Sequence, residues 1–139
     1  MKLSVKSDYA ARAVLGLARH YPAQAALRVE DLAASQNVSA KYLVVILNDL
    51  QGHGIVRGIR GKRGGFLLAR PPAGITLGDI LRVADGAIFN PPALSDAGCP
   101  PELRRAWQKL QQTLVQTADA ITFQQLLEEG AEKEKMYYI

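Results

Sequence analysis

The sequence predicts a mainly α-helical fold with one small β-hairpin, arranged as a winged helix-turn-helix followed by a long C-terminal helix. Three observations predict it. Apolar residues recur at three- and four-residue intervals before residue 53, which is the spacing of helices with one buried face. The period then changes at a glycine-bounded hairpin signal. A long amphipathic stretch follows a proline-rich segment near the C-terminus.

The first three helices are predicted from apolar periodicity and from residues that favour helix ends. The first covers residues 6–21, with Ser7 as its N-cap and Pro22 at its end. The second covers residues 30–36 and ends at Asn37, and the third covers residues 39–52 and begins at Ser39. Because only a few residues separate the second and third helices, we predict a helix-turn-helix.

The hairpin and a fourth helix follow. Residues 55–60 and 65–68 are β-capable runs that flank Gly61-Lys62-Arg63-Gly64, so we predict a hairpin, or wing, with a basic tip. Thr76 is the predicted N-cap of a helix over residues 77–85. Residues 86–101 contain four prolines and the single cysteine, which predicts an irregular loop suited to sensing.

The C-terminal part is predicted to dimerise. A helix over residues 102–120 has an apolar stripe too extensive for a lone surface helix, so we expect it to pack against its copy in a second subunit. The stripe residues are Trp107, Leu110, Leu114 and Ile121. Thr122 is the predicted cap of a short helix over residues 123–128, and residues 131–135 are expected to be a mobile charged tail. We thus divide the chain into a DNA-binding-type domain (1–85), a sensor-type loop (86–101) and a dimerisation helix with tail (102–139).

Length and composition exclude several classes of protein. The chain has 139 residues, of which 48% are hydrophobic and 22% charged, as in one folded domain rather than a disordered chain. It lacks an apolar leader and any apolar run long enough to cross a membrane, so we expect a cytoplasmic protein without membrane contact. Neither a phosphate-binding glycine motif nor a credible nucleophile and base pair occurs, so we expect no enzyme.

A basic segment without acidic residues surrounds the predicted wing. No Asp or Glu occurs between Leu50 and Gly78, although the whole chain carries a net charge of only +4. The cations of this segment are Arg57, Arg60, Lys62, Arg63 and Arg70. Phosphate binding depends on such concentrated positive charge, so we predict double-stranded DNA as the partner. The wing cations and Gly64 are the candidate contacts to phosphates or to a narrow minor groove.

The third helix is the candidate recognition helix. Polar residues at the N-terminal end of such a helix face base edges in the major groove, and Ser39, Lys41 and Tyr42 stand there. Val44 and Val45 follow, and we expect both to be core or turn-packing residues. Contact of one of them with a thymine methyl group is the alternative.

Four runs of the sequence resemble the Rrf2 family of bacterial repressors. They are Asn37-Val-Ser-Ala-Lys-Tyr-Leu, Leu50-Gln-Gly-His-Gly-Ile-Val, Arg60-Gly-Lys-Arg-Gly-Gly-Phe-Leu-Leu-Ala and Ile75-Thr-Leu-Gly-Asp-Ile. The resemblance covers nearly the whole chain and implies a winged-helix homodimer, crossing on the long helix, that binds a partly palindromic operator. It also implies that Ser39, Lys41 and Tyr42 read the major groove and that Arg60 enters the minor groove.

The cysteine content departs from that family's pattern. Many members hold an iron-sulphur cluster on three cysteines before the long helix, whereas this chain has only Cys99, with Asp8 as the nearest match to an acidic ligand. We therefore expect no cluster and no metal. Cluster-based or thiol-based redox sensing remains an alternative, and so does a dimeric interaction protein that does not bind DNA. A small ligand or a protein co-regulator stays open as the signal.

Overall fold

A computed structural model describes residues 3–137, and the side chains of residues 3–133. Within that range the chain forms six α-helices and one two-stranded antiparallel sheet, which confirms the predicted fold class. The elements are α1 (Val5–Arg19), α2 (Val29–Gln36), α3 (Ala40–Gly52), β1 (Val56–Ile59), β2 (Gly65–Leu68), α4 (Leu77–Asp85), α5 (Pro101–Ala120) and α6 (Phe123–Tyr137). Short 3-10 helices lie at Tyr21–Ala23, Pro72–Gly74 and Pro92–Ser95.

The first helix begins earlier than predicted. Ser4, rather than Ser7, is its N-cap, since the Ser4 hydroxyl accepts a hydrogen bond from the Ser7 amide at 3.0 Å. Ser7 is buried, and its own hydroxyl donates to the carboxylate of Asp85 at 2.7 Å. The helix ends at Arg19 because Pro22 belongs to the 3-10 helix that follows.

The helix-turn-helix is present as α2 and α3. Asn37 ends α2 in the left-handed conformation, with φ of 55°, which asparagine tolerates better than most residues. Ser39 caps α3, because its hydroxyl accepts from the Tyr42 amide at 3.4 Å. One face of α3 is buried in the core, which fixes the helix against α1 and α2. The buried residues of α3 are Leu43, Ile46, Leu47 and Leu50.

The wing is attached to the body of the domain along its second strand. Strands β1 and β2 pair with Val56 opposite Leu68 and Ile59 opposite Gly65. Phe66 also exchanges two backbone hydrogen bonds of 2.8 Å with Leu27, in the segment before α2. Strand β2 therefore has backbone partners on both sides, β1 on one and Leu27 on the other.

The C-terminal helix is longer than predicted and returns to the core. Thr122 caps α6 as expected, since its hydroxyl accepts from the Gln125 amide at 3.2 Å. The helix continues to Tyr137 rather than ending at residue 128, so residues 131–135 are helical; alanine, glutamate and lysine are good helix formers. Phe123 is fully buried among core residues, so α6 packs on the N-terminal domain.

The entry to α4 is tied to the junction between α5 and α6. The Leu77 amide donates to the Ile121 carbonyl at 2.9 Å, and the Phe123 amide donates to the Ile75 carbonyl at 3.0 Å. Thr76 and Asp79 form a reciprocal capping box at the start of α4, which confirms the predicted cap. Among the described helices, none is long and apolar enough to cross a membrane.

Candidate nucleic-acid interface

The face of α3 opposite the core is exposed and carries four side chains at helical spacing. They are Lys41, Val44, Val45 and Asn48. Val44 is 41% exposed and Val45 is 53% exposed, so the expectation that both are core residues is wrong. Residues 43–47 are all apolar, and periodicity cannot tell which members of such a run face outward. Asn48 was not among the predicted DNA-contacting residues, although its three- and four-residue spacing from the two valines places it on the same face.

The other two candidate reading residues are engaged in local structure. The Ser39 hydroxyl caps α3, as described above. The Tyr42 ring packs edge-to-face on Tyr9, with centroids 5.8 Å apart, and the guanidinium of Arg12 lies 5.6 Å from the centre of the Tyr9 ring. Tyr42 is thereby held at the N-terminal end of α3 while remaining 36% exposed.

The basic side chains of the wing are exposed and form no ion pair with a described carboxylate. Arg57, Arg60, Lys62 and Arg63 are all exposed, and none forms an ion pair with a carboxylate within the described range. The Gly64 amide closes the tip by donating to the Gly61 carbonyl at 2.9 Å. A side chain at Gly64 would collide with the Ile59 carbonyl oxygen, so the tip needs glycine there.

A hydrogen bond joins the wing to α3. The side-chain oxygen of Gln51, in the last turn of α3, accepts from the Gly58 amide of β1 at 3.0 Å. A Cβ at Gly58 would lie 2.8 Å from that same oxygen, so this glycine permits the contact. The Lys6 ammonium group of α1 also lies 2.7 Å from a carboxylate oxygen of Asp49 on α3. The hydrogen bond between these two side chains raises the pKa of Lys6. Sequence patterns gave no signal for either contact because each joins different elements.

Ion pairs connect the base of the wing to α4 and α5. The two terminal guanidinium nitrogens of Arg82 on α4 donate to the two carboxylate oxygens of Asp119 on α5, at 2.8 and 2.7 Å. This hydrogen bonding lowers the pKa of Asp119 and raises that of Arg82. One carboxylate oxygen of Asp79 lies 3.9 Å from a guanidinium nitrogen of Arg82. The other lies 3.5 Å from a guanidinium nitrogen of Arg70, which follows β2.

The predicted stripe on α5 is only partly covered. Leu110 is 43% exposed, while Trp107, Leu114 and Ile121 are half-buried. Leu114 and Ile121 also line an open apolar groove beside α4. The other apolar side chains of the groove are Leu3, Leu77, Leu81, Ile88 and Ala118.

The two candidate sensor residues are both occupied by local contacts. Cys99 is buried, and its thiol donates to the Pro100 carbonyl at 3.6 Å. The Asp8 carboxylate pairs with Arg12 one turn along α1, at 3.0 Å. Over the described range, no group of three or more His, Cys, Asp and Glu residues is arranged to hold a metal ion.

Comparison with known proteins gives one consistent family. Residues 3–129 match Rrf2, described as an iron-dependent transcriptional regulator. The chain is 30% identical, over the full length of both proteins, to the HTH-type transcriptional regulator CymR of Bacillus subtilis. The structure of CymR, the global cysteine regulator of B. subtilis, superimposes with a TM-score of 0.83, at 29% identity, covering 93% of this chain and 98% of that one. The T. potens IscR structure gives 0.82, at 30% identity, covering 99% and 97%.

Proposed function

Because the chain belongs to the Rrf2 family of transcriptional regulators, we propose that it represses transcription by binding a partly palindromic operator as a homodimer. Like its relatives, it is a DNA-binding regulator and not an enzyme. One observation carries the finer proposal: the exposed face of α3 is tied to a wing whose cations form no ion pair with any carboxylate that the structure describes. A recognition helix and a cationic wing together suit one major groove and the adjacent backbone. Such a protein acts on the chromosome, so we propose a cytoplasmic location.

Lys41 is the most available of the three proposed major-groove residues. It is exposed in the first turn of α3, where it reaches base edges or phosphates. Ser39 and Tyr42 have a second task, since one caps the helix and the other packs on Tyr9. We assign them to positioning the N-terminus of α3 as well as to DNA contact.

The proposed wing contacts divide into two kinds. Arg60 precedes the tip and is proposed to enter the minor groove, where negative potential attracts arginine. Arg57, Lys62 and Arg63 are proposed to contact phosphates, with Gly64 allowing the backbone to approach the DNA. Because no described carboxylate neutralises these side chains, their charge is available to the DNA.

The proposed dimer forms through α5. Leu110 is exposed on the same stripe as Trp107 and Leu114, and the adjacent groove is apolar. An apolar stripe on a helix of this length is stabilised when a second copy covers it. We retain residues 1–85 as the DNA-binding part, 86–101 as the loop that responds to a signal and 102–139 as the dimerising part, with α6 anchoring that part to the core through Phe123.

We propose that this chain acts without an iron-sulphur cluster, although the family is described as iron-dependent. Cluster sites use several thiolates, and each subunit has one cysteine. The Cys99 thiol is buried and the Asp8 carboxylate is paired with Arg12, so the residues present do not fit a cluster. Burial of Cys99 also favours a small ligand or a protein co-regulator over direct thiol oxidation as the signal.

Selection from random duplexes tests the proposal. The purified protein is incubated with a pool of random-sequence DNA, and the bound fraction is sequenced after several rounds and then assayed by gel shift. We expect an enriched motif with two inverted half-sites, whose affinity falls steeply with salt. A motif without symmetry would contradict the dimeric operator, and failure to enrich any sequence would leave a dimeric interaction protein that does not bind DNA.

A further inference from the structure

We propose that Val44 and Val45 contact thymine methyl groups in the major groove, so that each operator half-site carries thymines beneath the second turn of α3. The inference deepens the proposed function and rests on it. Val44 and Val45 are 41% and 53% exposed and adjacent, whereas their neighbours Leu43 and Ile46 are fully buried. The two valines therefore form an apolar patch on the outward face of a helix that is otherwise anchored through its opposite face.

The patch lies outside the core that stabilises the domain. α3 packs on α1, α2, α4 and β1 through its buried side chains, and the valines are outside the core that those elements share. Valine is a weaker helix former than alanine, leucine, lysine or glutamate at an exposed helical position, because its branched Cβ loses rotamer freedom. Two exposed valines in succession thus add neither packing nor helix propensity to the isolated chain.

The surroundings of the patch identify DNA as its occupant. Lys41 precedes Val44 and Val45 by about one turn on the same exposed face, and Asn48 follows them by about one turn. The wing bearing Arg57 and Arg60 is fixed to the end of the same helix through the Gln51 hydrogen bond. A polyanion is the partner that this charge complements, and the apolar patch lies within that charged surface.

Thymine is the base that matches an apolar side chain. In the major groove it presents a C5-methyl group, whereas the edges of adenine, guanine and cytosine present only hydrogen-bonding groups there. The amide of Asn48 suits adenine, since it can pair with the N6 and N7 positions. The valines and Asn48 therefore favour A·T pairs, which makes a half-site with thymines beneath the second turn of α3 the expected target.

Uracil substitution tests the inference on the wild-type protein. Uracil differs from thymine only by lacking the methyl group, so the duplex keeps its pairing. From the selected operator, each thymine of a half-site is replaced in turn by deoxyuridine, and affinity is measured by fluorescence anisotropy. We expect at least one position per half-site where the change weakens binding by about fourfold, the factor for one buried methyl group. Uracil placed outside the half-sites is the control and should change nothing.

A double variant assigns that sensitivity to the two valines. The Val44→Ala, Val45→Ala protein should bind the thymine and uracil operators with nearly equal affinity, because alanine lacks the γ-methyl groups with which valine reaches the thymine methyl group. Its unfolding temperature should be no lower than that of the wild type, since both side chains are exposed and alanine favours a helix more than valine does. Equal binding of both operators by the wild type, or sensitivity that persists in the variant, would overturn the inference while leaving DNA binding intact. Absence of binding to any duplex would overturn the proposed function as well.

Discussion

Arg60 is the wing residue whose removal should cost the most affinity. Its side chain is exposed beside the tip and forms no ion pair with a described carboxylate, so its positive charge is free to interact with DNA. We expect Arg60→Ala to weaken operator binding about tenfold, as for one lost specific contact.

Lys62→Ala should instead weaken all sequences alike and lower the salt slope by about one, as for one lost phosphate contact. Gel shifts over a range of salt concentrations separate the two effects.

A matched control is available on another element. Arg19 is an exposed arginine at the end of α1, outside the acid-free segment, so Arg19→Ala removes the same charge without touching the wing. It should leave both the affinity and the salt slope nearly unchanged. Equal losses in Arg19→Ala and Arg60→Ala would mean that net charge, and not the wing, determines binding.

At the scale of elements, the ion pair between α4 and α5 predicts a pH dependence of stability. Hydrogen bonding to Arg82 lowers the pKa of Asp119 in the folded state, so the pair stabilises the fold above the unfolded pKa and is lost as the pH falls through the lower folded value. Both side chains are about two-fifths exposed, and solvent screening limits the contribution to about 1 kcal/mol or less. Asp119→Asn should therefore lower the unfolding temperature between pH 5 and 8, estimated from ordinary carboxyl pKa values.

The difference from the wild type should shrink towards zero as the pH falls through the lowered folded pKa of Asp119, because a protonated Asp119 resembles asparagine. Thermal melts followed by circular dichroism at several pH values measure it. Glu129→Gln is the control, since Glu129 is exposed on α6 and has no described ion pair. A difference for Asp119→Asn that stays constant down to the lowest pH would contradict the assignment.

Local signals predicted most elements, and long-range contacts explain what was missed. Caps and turn residues are properties of a few adjacent positions, so Ser39, Asn37 and Thr76 identified helix ends correctly. Two serines, Ser4 and Ser7, lie near the start of α1, and the sequence could not tell that Ser7 is buried against Asp85 from the other end of the domain. The wing was likewise predicted, but its anchors on Leu27 and α3 depend on tertiary structure.

The candidate site was predicted by position and only partly by role. The charges of the wing and the place of α3 follow from composition and order along the chain. The outward direction of Val44 and Val45 does not, because it depends on which side of an apolar run the rest of the fold covers. The pairing of Tyr42 with Tyr9 similarly joins two helices distant in sequence.

At the scale of the whole molecule, one chain presents one recognition helix, and a palindrome needs two. α5 has 20 residues and so extends over about 30 Å. Half-sites one helical turn apart are separated by about 34 Å. Two crossed copies of α5 therefore have the dimensions to hold two α3 helices at successive major grooves. Leu110 is 43% exposed and lies at the middle of α5, the position that a crossing at the helix midpoint would bury.

If the proposed dimer forms through α5, Leu110→Glu should convert it into a monomer. A glutamate in an apolar interface loses its hydration without gaining a partner, while the same residue costs little in an exposed position of the separate subunit. Light scattering at micromolar concentration should then give the mass of one chain, about 15.1 kDa, and affinity for the two-half-site operator should fall towards that for a single half-site. Gln112→Glu adds the same charge on the exposed face of α5 away from the stripe and should remain dimeric. If Leu110→Glu also stays dimeric, the interface lies elsewhere, and the operator symmetry would need a different geometric origin.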